Sequence, residues 1–481
     1  MPRTLSSEVA ERVGETVTVK GWLHNVRSLG GVVFAVVRDR AGLVQAVTEG
    51  GADADLLRGL GSESVVAVSG RVAREPRAPM GVEVRVEQVE VICPVREALP
   101  LQINKAELTA GLETQLDHRA VALRAPRMRA IFRVQHEVAM SFAEFLTARG
   151  FTRIHTPKLV SAGAEGGSDL FTLDYFGRPV YLAQSPQFYK QMMVGAYERV
   201  FEVAPAYRAE KHDTARHTNE FTSLDFEMGF IESHEDVMAM ENAWLCYLAE
   251  RLRDRCAEEF AVLGAEVPAV PERIPRVRLA EAQDAIGRCV GEPDLDPEAE
   301  RAASAWAQER FGSDWLFVTH YGAEKRPFYT MEDPDRPGLT RSFDLLFRGW
   351  EVTTGGQRLD RVEEYERKLR ARGLDPAKYE FYLEAFRYGM PPHGGLGAGL
   401  ERITARLLGL RNVREATLFP PPSSPSRLPG SSSTGIPTCT SWLPRGASGR
   451  TAVSPTPPSL LPPSCRTCSR PTFWPCCSRN G

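Results

Sequence analysis

Tyr207-Arg-Ala-Glu210 sets a guanidinium and a carboxylate two residues apart, a spacing that points both to one face of a strand. An arginine so placed can clamp an oxyanion through two parallel hydrogen bonds, and the glutamate can accept one from an amino group. Arg216-His-Thr218 and Phe221 follow within about one hairpin's reach, offering further anion ligands and a ring that can stack. Glu351-Val-Thr-Thr-Gly-Gly-Gln-Arg358 adds hard oxygen donors and another arginine. Gly394-Gly-Leu-Gly-Ala-Gly-Leu-Glu-Arg402 is a glycine-rich strand running into a helix. Taken singly, each signal is weak. An Arg/Glu pair is ordinarily a surface ion pair worth little, and the glycine string lacks the downstream acid and βαβ context of a dinucleotide loop.

The elements that must carry these residues divide the chain. From Thr16 to Ile92 short β-branched runs alternate with turn formers: Thr16–Leu23, Gly31–Arg38, Val44–Thr48, Val65–Val72 and Val82–Ile92. A helical pattern at Ala52–Leu60 separates the third run from the fourth. Five strands with that insertion suit an OB barrel. Pro94 to Pro126 reads as a hinge. Arg127–Arg149 is an amphipathic helix with Ile131, Val134, Val138, Phe142, Phe145 and Leu146 on one face. The expected domains are therefore 1–97, a hinge at 98–126, a larger domain at 127–419 and a tail at 420–481.

Length and composition agree with two domains of an ordinary globular protein: 481 residues, 42% hydrophobic and 25% charged. No leader pattern precedes Val13 and no apolar run is long enough to cross a bilayer, so a cytosolic enzyme is expected. Net charge is −3, and residues 1–97 hold 12 Lys/Arg against 13 Asp/Glu. Any nucleic-acid contact must then come from local patches and stacking groups rather than a global field. The tail differs sharply, with 14 of the 35 prolines, six Arg, no acid and five of the nine cysteines. Such a segment cannot offset its ordering entropy. It resembles an out-of-frame reading of a GC-rich gene. Cys465, Cys468, Cys476 and Cys477 lack the supported turn that zinc ligation needs.

Together with Arg149-Gly-Phe-Thr-Arg-Ile-His-Thr-Pro157, the strings at 207 and 394 resemble the three ordered motifs of class II aminoacyl-tRNA synthetases. Glu165-Gly-Gly-Ser-Asp-Leu-Phe171, Gln184-Ser-Pro-Gln-Phe-Tyr-Lys190, Phe343-Asp-Leu, Glu351 to Arg358 and Phe386-Arg-Tyr-Gly-Met-Pro-Pro-His393 extend the likeness. Over residues 10–419 the chain is similar to the archaeal-type aspartyl-tRNA synthetases. The resemblance implies an α+β fold: an N-terminal OB barrel, then an antiparallel sheet flanked by helices, dimerising through the first motif. It also implies ATP and L-aspartate as substrates, Mg²⁺ as cofactor, and tRNA(Asp) as the acceptor.

Site residues follow from the same likeness. Arg208 and Arg402 carry the catalytic contacts. Arg208 clamps the α-phosphate and the attacking carboxylate; Glu210 accepts from adenine; Phe221 and Arg402 cover its two faces. Arg216, His217 and Thr218 meet the outer phosphates, with Gly399, Leu400 and Glu401 also at the nucleotide. Glu351 and Thr354 hold Mg²⁺. Arg358 and Lys190 read the aspartate side chain, while Gln187 and Glu165 hold its amino group, assisted by Asp344. The loop from Gly163 to Ser168 closes over the bound amino acid. On the barrel, Phe34 stacks an anticodon base, unless it is simply barrel core, and Arg27 and Gln45 flank it. Strict archaeal enzymes place Trp where this chain has His24 and Lys where it has Pro79, which implies acceptance of tRNA(Asn) as well. Strict tRNA(Asp) specificity, an asparaginyl enzyme, a lysyl enzyme and a non-catalytic RNA-binding relative are the alternatives. Arg358 with Lys190 disfavours the asparaginyl and lysyl readings, and the complete set of signature residues disfavours the non-catalytic one.

Overall fold

The computed structural model describes residues 2–105, 107–164, 170–210 and 214–421. Glu165 and the tail beyond 421, with the readings made of them, lie outside the described residues.

Alternating β-branched residues close the N-terminal strands on themselves. β1 (Thr16–Leu29), β2 (Val32–Arg38), β3 (Leu43–Glu49), β4 (Val65–Arg74) and β5 (Val82–Cys93) run in the order β1-β2-β3-β5-β4, and β4 pairs back onto β1. Helix α1 (Gly51–Gly59) lies between β3 and β4, as the pattern predicts. Val17, Val19, Val33, Ala35, Val37, Val44 and Ala46 point inward and form the barrel core with Ala54 and Leu57 of α1. β1 runs further than expected because a bulge between Leu23 and Asn25 lets it continue along β2.

The hinge is not a free linker. Leu101 and Ile103 are buried in the core of the larger domain, and the short helices Leu112–Asp117 and Arg119–Ala122 lead into α2 (Pro126–Thr147). Proline opens α2, where its missing N–H costs nothing. All six residues of the expected apolar face are buried.

The larger domain is built on an eight-stranded sheet. Its strands are β6 (Thr152–Arg153), β7 (Arg199–Tyr207), β8 (Glu220–Gly229), β9 (Arg276–Arg278), β10 (Trp315–Thr319), β11 (Ser342–Phe347), β12 (Trp350–Gln357) and β13 (His393–Gly399). The order is β9-β10-β11-β12-β13-β8-β7-β6, antiparallel except at the two edge pairs. Leu224, Phe226, Phe343, Leu345, Leu396 and Ala398 face one core together with α2 and α4 (His234–Arg255). The intervening residues, Ser223, Asp225, Glu227 and Asp344 among them, therefore face the other side. Helices α3 (Gln187–Tyr197), α5 (Pro297–Phe311) and α6 (Leu400–Leu407) are among the further elements of the domain.

One buried acid sits behind the sheet. Glu241 of α4 is fully buried, and among the described residues neither carboxylate oxygen makes a well-formed hydrogen bond. Burial pushes its carboxyl up to about 8. The folded state thus keeps a proton that the unfolded chain releases above its ordinary value, so stability falls as pH rises between about 4.5 and 8. Glu241→Gln removes that penalty. Urea unfolding should show the variant gaining on the parent across this window, by on the order of 1–3 kcal/mol at pH 8, with no gain near pH 4.

Candidate active site

A cavity of about 340 Å³ opens on the face of the sheet opposite α2 and α4. Arg208, Glu210, Arg216, His217, Thr218 and Phe221 enter it from β7, β8 and the chain joining them. Glu351, Thr354, Arg358, Gly399, Glu401 and Arg402 enter from β12, β13 and α6, and Gln187 and Lys190 from α3. One contiguous space thus gathers residues spread over more than two hundred positions.

The end nearest α5 gathers guanidiniums and carboxylate and hydroxyl oxygens. Arg208 lies over the Phe221 ring at 5.5 Å. Arg402 donates from Nε to the Arg216 carbonyl (3.1 Å) and from Nη1 to the Glu351 carbonyl (3.2 Å). Thr354 donates its hydroxyl to Glu351 Oε1 at 2.7 Å. These two residues stand three apart, a spacing that puts them on opposite faces of a regular strand. Here Leu345 pairs with Thr353 and Leu346 with Glu351, which leaves Val352 as a bulge and turns both oxygen donors into the cavity. Asp344, directly across from Thr354, is bonded through Oδ2 to Arg326 Nη2 (2.7 Å), while its Oδ1 is buried and makes no well-formed hydrogen bond among the described residues. Burial raises the Asp344 carboxyl to about 6. Burial pushes Glu351 the same way, but Arg402 and Thr354 hold it below the usual carboxylate range.

Among the described residues no cluster of three or more His, Cys, Asp or Glu side chains could hold a metal alone. Mg²⁺ keeps several waters and takes one or two carboxylates plus substrate phosphates. Glu351, Thr354 and the neighbouring Asp344 carboxylate fit that requirement.

Residues 111–423 match the family described as tRNA synthetases class II (D, K and N), and residues 17–92 match an OB-fold nucleic acid binding domain. The chain belongs to the class II aminoacyl-tRNA synthetases. It is 50% identical to the aspartate–tRNA(Asp/Asn) ligase of Deinococcus radiodurans, over 87% of this chain and 97% of that one. It is 49% identical to the ligase of the same name from Thermus thermophilus, over 87% and 98%. Among solved structures, asparaginyl-tRNA synthetase from Pyrococcus horikoshii in complex with asparaginyl-adenylate superposes with a TM-score of 0.83 at 33% identity, covering 89% of this chain and 99% of that one. Members of this class activate an amino acid with ATP and attach it to tRNA.

In the synthetase's second cluster, Lys190 and Arg358 are tied to acids that the sequence does not single out. Lys190 Nζ contacts Asp225 Oδ1 (2.9 Å), the Leu396 carbonyl (2.8 Å) and Glu227 Oε2 (3.4 Å). Arg358 donates from Nε to Glu227 Oε1 (2.9 Å) and from Nη2 to the Gly395 carbonyl (2.8 Å). Burial pushes the Glu227 carboxyl up, yet Arg358 and Lys190 together hold it below its ordinary value. The glycine string makes this possible: a Cβ on Gly395 would stand 2.0 Å from the Phe226 carbonyl oxygen and 2.3 Å from Glu227 Oε2. Gln187 donates to Gln191 Oε1 at 2.8 Å from the rim of the same cluster.

Several other expectations change. Leu400 packs into the hydrophobic core and does not line the cavity. Glu401 does line it, and both its oxygens accept the Thr222 N–H (3.1 and 3.0 Å), its carboxyl raised to about 7 by burial. Phe34 stands outside the barrel core between Val33 and Ala35, paired across the strands with Arg27 and Val47, so the core alternative falls. Gln45 donates to Glu83 at 3.3 Å. His24 is the residue at the β1 bulge and only 8% exposed, lining a second cavity with Glu63 and hinge residues Val95, Leu101 and Ile103. Pro79 is exposed in the turn between β4 and β5.

Sequence reasoning missed Asp225, Glu227, Glu300 and Arg326. The first two carry a signal, acids alternating with apolar residues in Leu224-Asp-Phe-Glu227; the last two carry none. Removing one partner of a buried pair strands the other charge. Glu227→Ala should cost about 3–5 kcal/mol in urea unfolding at neutral pH, whereas Glu210→Ala, at a half-buried residue lining the cavity, should cost under about 0.5 kcal/mol.

Proposed function

We propose that this synthetase forms aspartyl-adenylate from L-aspartate and ATP and transfers the aspartyl group to tRNA(Asp) and tRNA(Asn). The observation that carries the amino-acid choice is the Arg358–Lys190 pair on the cavity wall, fixed by Asp225 and Glu227. Ammonium and guanidinium are donors only, and donors held in place by those acids favour a side-chain carboxylate over an amide or an amine. The names of the two bacterial relatives point the same way.

Adenylate formation brings a carboxylate against the α-phosphate and expels pyrophosphate, so two anions must be held together. Arg208 clamps both through its guanidinium fork. Glu210 accepts from the adenine amino group, Phe221 stacks on the ring, and Arg402 braces the strand and loop on the other side. Arg216, His217 and Thr218 meet the outer phosphates, and Gln187 orients the amino group. Bound at Glu351 and Thr354, Mg²⁺ would neutralise phosphate charge. On the barrel, Phe34 stacks an anticodon base beside Arg27. A homodimer through Arg149 to Pro157 accords with the family.

Aspartate-dependent exchange of pyrophosphate into ATP should appear with Mg²⁺ and largely vanish in Arg208→Ala and Glu351→Ala, a loss of about 3 kcal/mol or more at the transition state. Arg358→Leu should impair use of aspartate far more than binding of ATP. Equal exchange with asparagine would sink the amino-acid assignment.

Acceptance of tRNA(Asn) rests on the two relatives' names, on His24 and on Pro79. The anticodons differ in their last base, C against U. Pro79 offers no donor to either base edge. His24, withdrawn beside the hinge, reaches a base only through the second cavity and can donate or accept there. A missing discriminating contact shrinks preference by about 1–3 kcal/mol. The parent should aspartylate both tRNAs with comparable kcat/KM, and the His24→Trp, Pro79→Lys double variant should shift toward tRNA(Asp). A hundredfold preference of the parent for tRNA(Asp) would overturn this second claim and leave the first standing.

A further inference from the structure

Arg216, expected to meet the outer phosphates, is already engaged. Its Nη1 and Nη2 form a two-pronged pair with Glu300 Oε2 and Oε1, both at 2.8 Å. Glu300 lies in the first turn of α5 and is only 3% exposed. Its Oε2 also accepts the backbone N–H of Glu351 at 2.9 Å, so one carboxylate ties the chain between β7 and β8 to the strand that carries the metal-ligand oxygens. Arg402 ties the same two segments from the other side through the Arg216 and Glu351 carbonyls. Arg216 Nε is buried and has no partner among the described residues.

The fork of a guanidinium fits a carboxylate and a phosphate with the same geometry. We propose that Glu300 is an internal stand-in for the outer phosphates of ATP, holding Arg216 docked until the polyphosphate takes it over and recapturing it when pyrophosphate leaves. The proposal rests on reading this cavity as the ATP site. After the exchange Glu300 keeps the Glu351 N–H and stays within reach of the charge of Arg402. Competition of this sort weakens the nucleotide's hold on Arg216 and eases departure of the product. A purely structural glutamate would do the reverse, since losing it would disorder Arg216 and weaken nucleotide binding.

Glu300→Gln separates the two. The amide retains an acceptor for the Glu351 N–H but loses the charge that competes for Arg216. With the full chain, calorimetric titration of ATP with Mg²⁺ should give a Kd at least threefold lower in Glu300→Gln than in the parent. Inhibition by added pyrophosphate should strengthen by a similar factor. Adding Arg216→Ala should erase the difference between the two backgrounds. Should Glu300→Gln not fold, Glu300→Ala takes its place under the same criterion. An unchanged or higher Kd overturns the proposal. Failure of the parent to bind ATP at all counts against the ATP-site reading instead.

Discussion

Lys190 and Arg358 are 1% and 5% exposed, and two cations so deeply placed stay charged only if anions desolvated with them lie within hydrogen-bond reach. Asp225 and Glu227 supply that condition, and much of the domain is arranged around it. Alternation on β8 sends both acids to the cavity face while Leu224 and Phe226 go to the core. β13 lies beside β8 in the sheet, where a side chain at its position 395 would strike Glu227; Gly395 provides the space while its carbonyl completes the shell of Arg358. The glycine-rich string is thus a packing device for a buried ion cluster. A phosphate-cradling role is not required to explain it.

The other end of the cavity depends on a local irregularity. Glu351 and Thr354 share a face only because Val352 is extruded from the β11–β12 ladder. The bulge also brings the Glu351 N–H to Glu300 and its carbonyl to Arg402, so strand, helix and loop meet at one residue. With Asp344 and Arg326 alongside, carboxylates and guanidiniums alternate in space, and no single charge dominates the site. Such a preorganised arrangement can receive a charged substrate with little rearrangement.

Polar contacts join the barrel to the synthetase domain. Glu63 pairs with Arg38 of β2 and with Arg124 just ahead of α2, and Arg129 of α2 donates to the carbonyls of Asp39 and Arg40. Burial and the charges of Arg38 and Arg129 keep the neighbouring His24 imidazole below its usual range. The histidine singled out for tRNA choice therefore stands at the joint between the two functions.

Strand and helix periodicity determined most of the architecture in advance, because an inward stripe of valines or a 3.6-residue apolar face leaves few places for the chain to go. The barrel strands, α1, the face of α2 and the residues of the cavity were legible in that way, or through resemblance of short strings. Partnership was not. Nothing in the local sequence says that Lys190 and Arg358 are neutralised by Asp225 and Glu227, that Glu300, 84 positions away, holds Arg216, or that Leu400 turns from the nucleotide to the core. Nor does it say that His24 leaves the open face of its strand. Each of these depends on a bulge, a close strand pairing or a contact between distant segments. Local propensity constrains the backbone of a residue, but the partner of its charge is settled only when the chain has folded and water has been excluded.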